Sequence, residues 1–346
     1  MNNAPNVTAA PPTRLNRVLT FPLVLLYGLG VTIGAGIYVL VGEATSRAGA
    51  FAPFAFVLAA LVMIFPALSF SELAVRYPFA SGSAQYAEEG LKSRFAGFCV
   101  GMAVISADLV TAATISLGAA GYLQTIVPLP PWILFTIAVS AMGGIVAWGI
   151  KESVLLASAM TILEISGLLA IFAGGLSSDP GLLLRMNQLF PDWNSAALIG
   201  VLQASLLAFF SFIGFEDIAN IAEEVRDPRR TIPRAIVITL GVSSLLYMLV
   251  VVVALSTVGA EALAGQSAPL SFLFLKTTGL PPLAISLIAV VATLNGVIVQ
   301  IIMISRLGYG LSSRRLLPQF LSRVSERSRT PLYATALATR QYSGWL

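Results

Sequence analysis

Four carboxyl side chains lie within stretches that are otherwise almost free of charge: Asp108, Glu164, Glu216 and Asp217. A charged side chain near the centre of a bilayer costs ~2.5–3.5 kcal/mol on insertion scales. No Lys or Arg lies at helical spacing from any of them. We expect each to be protonated, ion-paired with another segment or bound to a cation. A carboxyl that only hydrogen-bonds to neighbouring helices is the alternative for each.

Glycines form the second chemical signal. Gly28, Gly30, Gly34 and Gly36 crowd the first apolar run, and Gly214 lies in the sixth. Such glycines either let helices pack closely or break the helix. The free N–H groups of a broken helix suit a carboxylate, and its free carbonyls suit an ammonium or another cation. An amino acid carries both charged groups.

The composition identifies the elements that position these residues. The 346-residue chain is 57% hydrophobic and 10% charged, with a mean hydropathy of +0.88. Soluble domains carry about 25% charged residues. The chain is therefore expected to be an all-α polytopic membrane protein, because its charge-free runs have the length of ~20-residue transmembrane helices.

The apolar runs predict eight spans, over residues 20–42, 49–71, 95–126, 131–150, 153–175, 197–220, 234–257 and 282–312. An even number of spans places both termini on one side. All of the 20 Lys and Arg residues except Arg47, Arg185 and Lys276 then fall on that side or at its boundary. The positive-inside rule predicts that this side is cytoplasmic.

Several chemistries are disfavoured by what the chain lacks. It has no histidine, and Cys99 is its single cysteine. Imidazole metal sites, Ser-His catalysis and histidine relays are thereby excluded, and an enzyme is the weakest reading. We expect no cofactor and no bound metal, and we expect Cys99 to be a small buried apolar residue. Nucleic-acid binding is not expected either, because the basic residues lie on a membrane face.

Four segments together resemble the amino acid–polyamine–organocation superfamily of permeases. They cover the first span, the first cytoplasmic loop, the sixth span with its following loop, and the end of the eighth span: Gly30–Tyr38, Phe70–Tyr86, Phe209–Asp217 with Ala222–Arg234, and Ser305–Pro318. The resemblance extends from about Arg17 to Leu337. Four such segments in the right order are specific.

This resemblance implies a LeuT-type fold of two inverted five-helix repeats and transport of an amino acid or amine by alternating access. It implies that the substrate carboxylate binds N–H groups of Gly34, Ala35 and Gly36. The ammonium would bind carbonyls of Thr32, Phe210 and Ile213, with Gly214 in the second break. The Phe210 ring occupies the position of an aromatic that often covers the substrate.

The residue that couples transport to an ion is predicted to differ from that of some family members. Where some members carry a basic residue in the fifth span, this chain has Glu164. We hypothesise proton coupling through Glu164 or Glu216, with Asp108 as a further candidate and exchange as the alternative. Phenylalanines near Phe210 favour a neutral substrate, whereas Asp108 could pair with a cationic one.

The resemblance also divides the chain. Residues 1–19 are a predicted cytoplasmic tail, 20–176 the first repeat, 197–312 spans six to eight, and 313–346 a basic loop followed by an aborted ninth span. A second repeat of three spans suggests C-terminal truncation. The chain is therefore predicted to be a permease of the plasma (inner) membrane, with the lipid bilayer and a coupling ion as partners. The alternative is a truncated fragment that transports nothing.

Two cytoplasmic segments have simpler expected roles. The acidic and basic residues of 223–230 are predicted to form a solvated loop, with Thr231 capping the seventh span. Arginines after the eighth span are expected to set topology and contact lipid phosphates: Arg314, Arg315, Arg323, Arg327 and Arg329.

Overall fold

The computed structural model describes residues 15–124, 129–182, 194–263, 266, 269–281 and 283–343. Their α-helices are, in chain order, α1 (Phe21–Ala48), α2 (Ala52–Arg76), α3 (Gly82–Leu91), α4 (Arg94–Gln124), α5 (Pro131–Trp148), α6 (Ile150–Ser178), α7 (Ser195–Phe210), α8 (Asp217–Asn220), α9 (Pro228–Thr257), α10 (Ala260–Leu263), α11 (Pro269–Thr278), α12 (Leu283–Ser313) and α13 (Leu332–Ser343). Short 3₁₀ turns cover Gly49–Phe51, Ala222–Glu224 and Gln319–Ser322.

Helices occupy all eight predicted spans. Among the described residues, six stretches are long and apolar enough to cross a membrane, and Trp132–Trp148 and Ser195–Phe210 are shorter apolar helices. The predicted sixth span is divided into α7, a turn segment and α8. The residues after the eighth span form a loop and then α13, and Arg185, one of the three outer basic residues, lies outside the described ranges.

Prolines mark where several helices begin. Pro22, Pro53, Pro131 and Pro228 lie in the first turns of α1, α2, α5 and α9. A proline is tolerated there because the N–H it lacks has no intrahelical partner. The expectation that Thr231 caps the seventh span was wrong, because α9 starts at Pro228 and places Thr231 inside the helix.

The first helix lies at the centre of the bundle. It packs against α6, α7, α9 and α12, while α2 packs against α9 and α4 against α12. Tyr27, Ile33 and Ile37 of α1 are fully buried. Side chains on the outer faces of other helices, such as Phe65 and Leu206, are exposed apolar groups of the kind that face lipid.

Cys99 differs from its expected position. It is exposed on the surface of α4 rather than buried. Because α4 presents exposed apolar residues on the same outer surface, Cys99 faces the bilayer in a membrane-embedded chain.

The N-terminal segment is fastened to the loop after the sixth span. Leu19 and Val225 form a parallel bridge. The N–H groups of Val18 and Leu19 donate to the Glu224 carbonyl at 3.0 and 2.9 Å, and the Arg226 N–H donates to the Leu19 carbonyl at 3.0 Å. This contact joins the entry to α1 with the segment that follows α8.

An ion pair ties α3 to the end of α12. The Arg314 guanidinium lies 3.0 Å from Glu88 and 3.4 Å from Glu89. The hydrogen bond that Arg314 donates to the Glu88 carboxylate raises the pKa of Arg314. Because the pair is partly exposed, salt is expected to weaken it.

Candidate functional site

The first element of the site is a break inside α1. Gly34 has φ 11° and ψ −146°, which is not helical. A Cβ added at Gly34 would meet no atom within 4 Å, so open space adjoins the break. Thr32, two residues earlier, is buried, and its hydroxyl has no hydrogen-bond partner among the described residues.

The second element is the break between α7 and α8. Residues 211–216 form turns, and Gly214 has φ +121°, a value that favours glycine. The Gly214 N–H donates to Glu216 Oε2 at 2.9 Å. Glu216 thus binds a backbone group that the break leaves without a helical partner.

The two breaks lie against each other. A Cβ on Gly36 would come within 3.1 Å of Ser211 Cα, and one on Gly214 would clash with the Val31 side chain. Both glycines therefore allow the two backbones to approach closely. The predicted pair of broken helices forms one junction in the structure.

Tyr247 of α9 joins the two breaks. Its hydroxyl lies 2.5 Å from the Thr32 carbonyl and 2.8 Å from the Ser211 carbonyl. Because the hydroxyl has one hydrogen, it donates to one carbonyl at a time. Phe56 and Phe212 pack against the buried Tyr247 ring, with centroids 5.9 and 5.1 Å away.

The predicted substrate residues surround this junction. Thr32, Gly34 and Gly36 lie on the α1 side, together with the backbone of Ala35. Phe210 and Ile213 lie on the other side with side chains 62% and 41% exposed. Their side chains are therefore not packed into the described core.

The other phenylalanines of the sixth span pack elsewhere. Phe212 contacts Tyr247, and Phe215 packs edge-on against Phe70 at 6.0 Å. Both are buried. Of the aromatic cluster in this span, Phe210 is thus the ring left most exposed at the break.

Glu164 lies in a separate polar cluster between α6, α12 and α1. Glu164 Oε1 accepts from Asn295 Nδ2 at 2.8 Å, and the same amide donates to Thr161 Oγ1 at 3.1 Å. Gly30 is essential to this packing, because a Cβ there would clash with Thr161 and crowd Asn295.

Two oxygens of this cluster have no hydrogen-bond partner among the described residues: Glu164 Oε2 and Asn295 Oδ1. Both residues are fully buried. An unpaired buried carboxylate is costly. A proton on Glu164 or a small cation beside it would supply the missing partner.

The remaining acids form a second group near Tyr27, in the first half of α1. Asp108 interacts electrostatically with Glu216, and Asp217 interacts with both. Asp108 Oδ2 and the buried Tyr27 hydroxyl lack hydrogen-bond partners among the described residues. The sequence placed Asp108 in the third span and the other two acids in the sixth, and the structure brings them together.

A buried ion pair was missed by the sequence reasoning. Arg306 Nε donates to Glu224 Oε2 and Arg306 Nη2 donates to Glu224 Oε1, each at 3.0 Å. Both side chains are 0% exposed. Glu223 accepts from the Ala80 N–H at 3.0 Å. The prediction of a solvated loop was therefore wrong for Glu224, whereas Glu223 is only partly buried. The available signal was Arg306 itself, which directly ends an uncharged run.

Two cavities lie away from the breaks. One is an apolar groove of about 380 Å³ between α2 and α9. The other, of about 560 Å³, lies at the turn between α5 and α6 and is lined partly by basic residues.

Known proteins are similar to this chain in sequence and in fold. A family model described as amino acid permease matches residues 24–341. The branched-chain amino acid permease BcaP of Bacillus subtilis is 30% identical over 91% of this chain and 71% of its own length. Cationic amino acid transporter 3, mitochondrial, of Arabidopsis thaliana is 28% identical over 93% of this chain and 56% of its own length.

A solved structure shows the fold. The structure of MhsT in complex with L-phenylalanine superimposes with a TM-score of 0.64 at 17% identity, over 96% of this chain and 79% of that one. The chain therefore has the LeuT-type transporter fold, as its sequence predicted.

Proposed function

Because this chain belongs to the amino acid permease family, we propose that it is a secondary transporter of an amino acid or a related amine. It works by alternating access in the plasma (inner) membrane. Transport is coupled to protons or proceeds by exchange.

One observation carries this proposal: two helices break side by side, and open space adjoins Gly34. Free backbone groups are tolerated at membrane depth where they line a cavity. The N–H groups of Gly34, Ala35 and Gly36 would bind the substrate carboxylate. Carbonyls of Thr32, Phe210 and Ile213 would bind the ammonium.

The substrate is proposed to be a neutral amino acid. Phe210 and Ile213 offer exposed apolar surface beside the break. The similarity to a branched-chain amino acid permease supports this choice. The unpartnered oxygen of Asp108 and the similarity to a cationic amino acid transporter support the competing choice of a cationic substrate.

Glu164 is the proposed coupling group. Its second carboxyl oxygen is buried without a partner among the described residues, and Asn295 holds the first. As a proton binds to Glu164 and leaves it during the transport cycle, the cluster would alternate between a neutral and a charged state. Glu216 is a weaker candidate because its carboxylate already binds the Gly214 N–H.

The test is uptake by the purified chain in proteoliposomes. Labelled leucine would be supplied with and without an inward proton gradient, and unlabelled valine or arginine would compete. We expect gradient-stimulated uptake that valine inhibits more strongly than arginine. Stronger inhibition by arginine would overturn the neutral substrate.

Two further outcomes bear on the mechanism. Uptake that needs internal amino acid and ignores the gradient would indicate exchange. No uptake by folded protein, across a panel of amino acids, would contradict transport by this chain and favour the inactive alternative.

A further inference from the structure

The cavity between the start of α6 and the loop before α13 is unrelated to the helix breaks. We call it the basic pocket. It is lined by the α5–α6 turn, by residues of 325–332 and by the N-terminal segment at Asn16. These segments meet at the same end of the bundle because the N-terminal segment is fastened there.

The charged residues that line the pocket are mostly basic. Lys151, Arg327 and Arg329 line the pocket, against one carboxylate, Glu152. No ion pair joins these three cations to any acid in the part of the chain that the structure describes. Arg306 and Arg314 at the same end are both paired. The pocket therefore has positive charge that the protein does not neutralise.

Backbone groups add to this potential. The first residues of α6, a helix of 29 residues, line the pocket, and no side chain caps that helix. Its first-turn N–H groups have no intrahelical acceptor, and the helix dipole is positive at this end. An anion in the pocket would meet both the cations and these N–H groups.

The loop that carries the two arginines is held closed. The Ser325 N–H donates to the Thr330 carbonyl at 3.0 Å, and the Arg329 N–H donates to the Ser325 carbonyl at 2.9 Å. Arg329 has φ +53°, an uncommon value for a residue with a side chain. The closed turn directs residues 327 and 329 to one cavity.

The edge of the pocket is apolar. Trp148 is 74% exposed, and Leu332 is exposed beside it. Tryptophan at the end of a membrane helix is typical of the interface between headgroups and acyl chains. The pocket thus opens where lipid headgroups lie rather than into bulk water alone.

From this combination we propose that the basic pocket binds the phosphate of an anionic phospholipid in the leaflet at that end of the bundle. Basic pockets beside membrane helices recognise such headgroups. Lys151, Arg327, Arg329 and the start of α6 would hold the phosphate, and Trp148 would lie along the glycerol and upper acyl region. The proposal does not depend on the transported substrate.

The test measures lipid binding to the purified full chain. Phosphatidylglycerol, phosphatidylcholine or inorganic phosphate would be titrated into detergent-solubilised protein, with native mass spectrometry as the readout. Arg327→Gln with Arg329→Gln removes two pocket cations. Arg315→Gln with Arg323→Gln removes two exposed arginines of the same loop that do not line the pocket.

We expect wild type to prefer phosphatidylglycerol. Each cation near the surface contributes enough for about a fivefold change in affinity, so the pocket pair should weaken binding about 25-fold. The control pair should change it less than threefold. Glu152→Gln should tighten binding, because it removes the carboxylate that opposes the phosphate. Lys151→Gln provides a second, single-site loss if the double variant unfolds.

Two results would overturn the proposal. Equal weakening by the pocket and control pairs would mean general attraction to a basic surface. Inorganic phosphate that binds as tightly as phosphatidylglycerol would mean a site for free phosphate instead of a lipid.

Discussion

At the scale of single residues, the Tyr247 hydroxyl lies within hydrogen-bond distance of two backbone carbonyls and donates to one of them at a time. Thr32 contributes one of them, and its carbonyl is also a proposed ligand of the substrate ammonium. The tyrosine hydroxyl therefore competes with that ammonium whenever it donates to Thr32 rather than to Ser211. A single side chain from α9 thus sets both the spacing of the breaks and the availability of an acceptor.

Tyr247→Phe removes the hydroxyl that donates to either carbonyl and leaves the ring in place. We expect a loss of about 1–3 kcal/mol in stability, because a buried carbonyl loses its donor, and a several-fold fall in the rate of uptake. Thermal unfolding and proteoliposome uptake would measure these. Tyr333→Phe is the control, since Tyr333 is exposed far from the breaks. Equal behaviour of the two variants would contradict the role of Tyr247.

Glu164→Gln tests the coupling group. Glutamine can still accept from Asn295 but cannot gain and lose a proton. We expect the proton gradient to lose its effect on accumulation while exchange of internal for external substrate continues. Glu261→Gln, at an exposed glutamate of α10, should leave both unchanged. Unaltered gradient dependence in Glu164→Gln would rule this residue out.

Gly34→Ala tests the proposed carboxylate site. An added methyl meets no atom within 4 Å at Gly34 or at Gly241, so neither change should disturb packing. The methyl at Gly34 enters the space proposed for substrate. We expect uptake to fall at least tenfold in Gly34→Ala alone, with both variants folded by thermal unfolding. Normal uptake by Gly34→Ala would refute the location of the site.

The sequence predicted some of these residues and missed others for a physical reason. Glycines and acids inside apolar runs are unfavourable in a membrane helix unless they have a structural or functional role. The sequence therefore identified Gly34, Gly214 and Glu164 as candidate site residues. Tyr247 and Asn295 are ordinary helix residues by type and spacing. Their roles depend on contacts with Thr32 and Glu164, which are distant in the sequence.

At the scale of elements, the breaks in α1 and between α7 and α8 were predicted, because glycine both permits such a backbone and marks it. The start of α9 was misplaced by four residues, since Thr231 was predicted as its cap and Asp227 occupies that position. The burial of Glu224 was not predictable from its loop, which is rich in charge. Glu224 is buried because α12 packs against the loop and brings Arg306 to it.

Glu224→Gln tests whether the ion pair fastens the loop to α12. Removing one partner leaves Arg306 charged and buried, which costs about 3–5 kcal/mol. Arg314→Gln breaks a partly exposed pair and should cost at most about 1 kcal/mol. Thermal unfolding in detergent would compare them. A Glu224→Gln variant as stable as Arg314→Gln would show that the buried pair is dispensable.

At the scale of the whole molecule, the distribution of basic residues predicts orientation. In a Cys99→Ala background, Glu261→Cys and Glu326→Cys place exposed thiols beyond opposite ends of the bundle. We expect an impermeant maleimide to label Glu261→Cys in intact cells and Glu326→Cys only after permeabilisation. The reverse pattern would invert the topology and move the basic pocket to the outer leaflet.

The bridge between Leu19 and Val225 also has a consequence for synthesis. Its partners are separated by about 200 residues, so at roughly 5–20 residues per second the N-terminal segment waits about 10–40 s for the other half to be made. During that interval α1 resides in the membrane without its fastening and without α9 or α12 beside it. We therefore expect the nascent first helix, with its glycines and without its late partners, to depend on the insertion machinery during that interval.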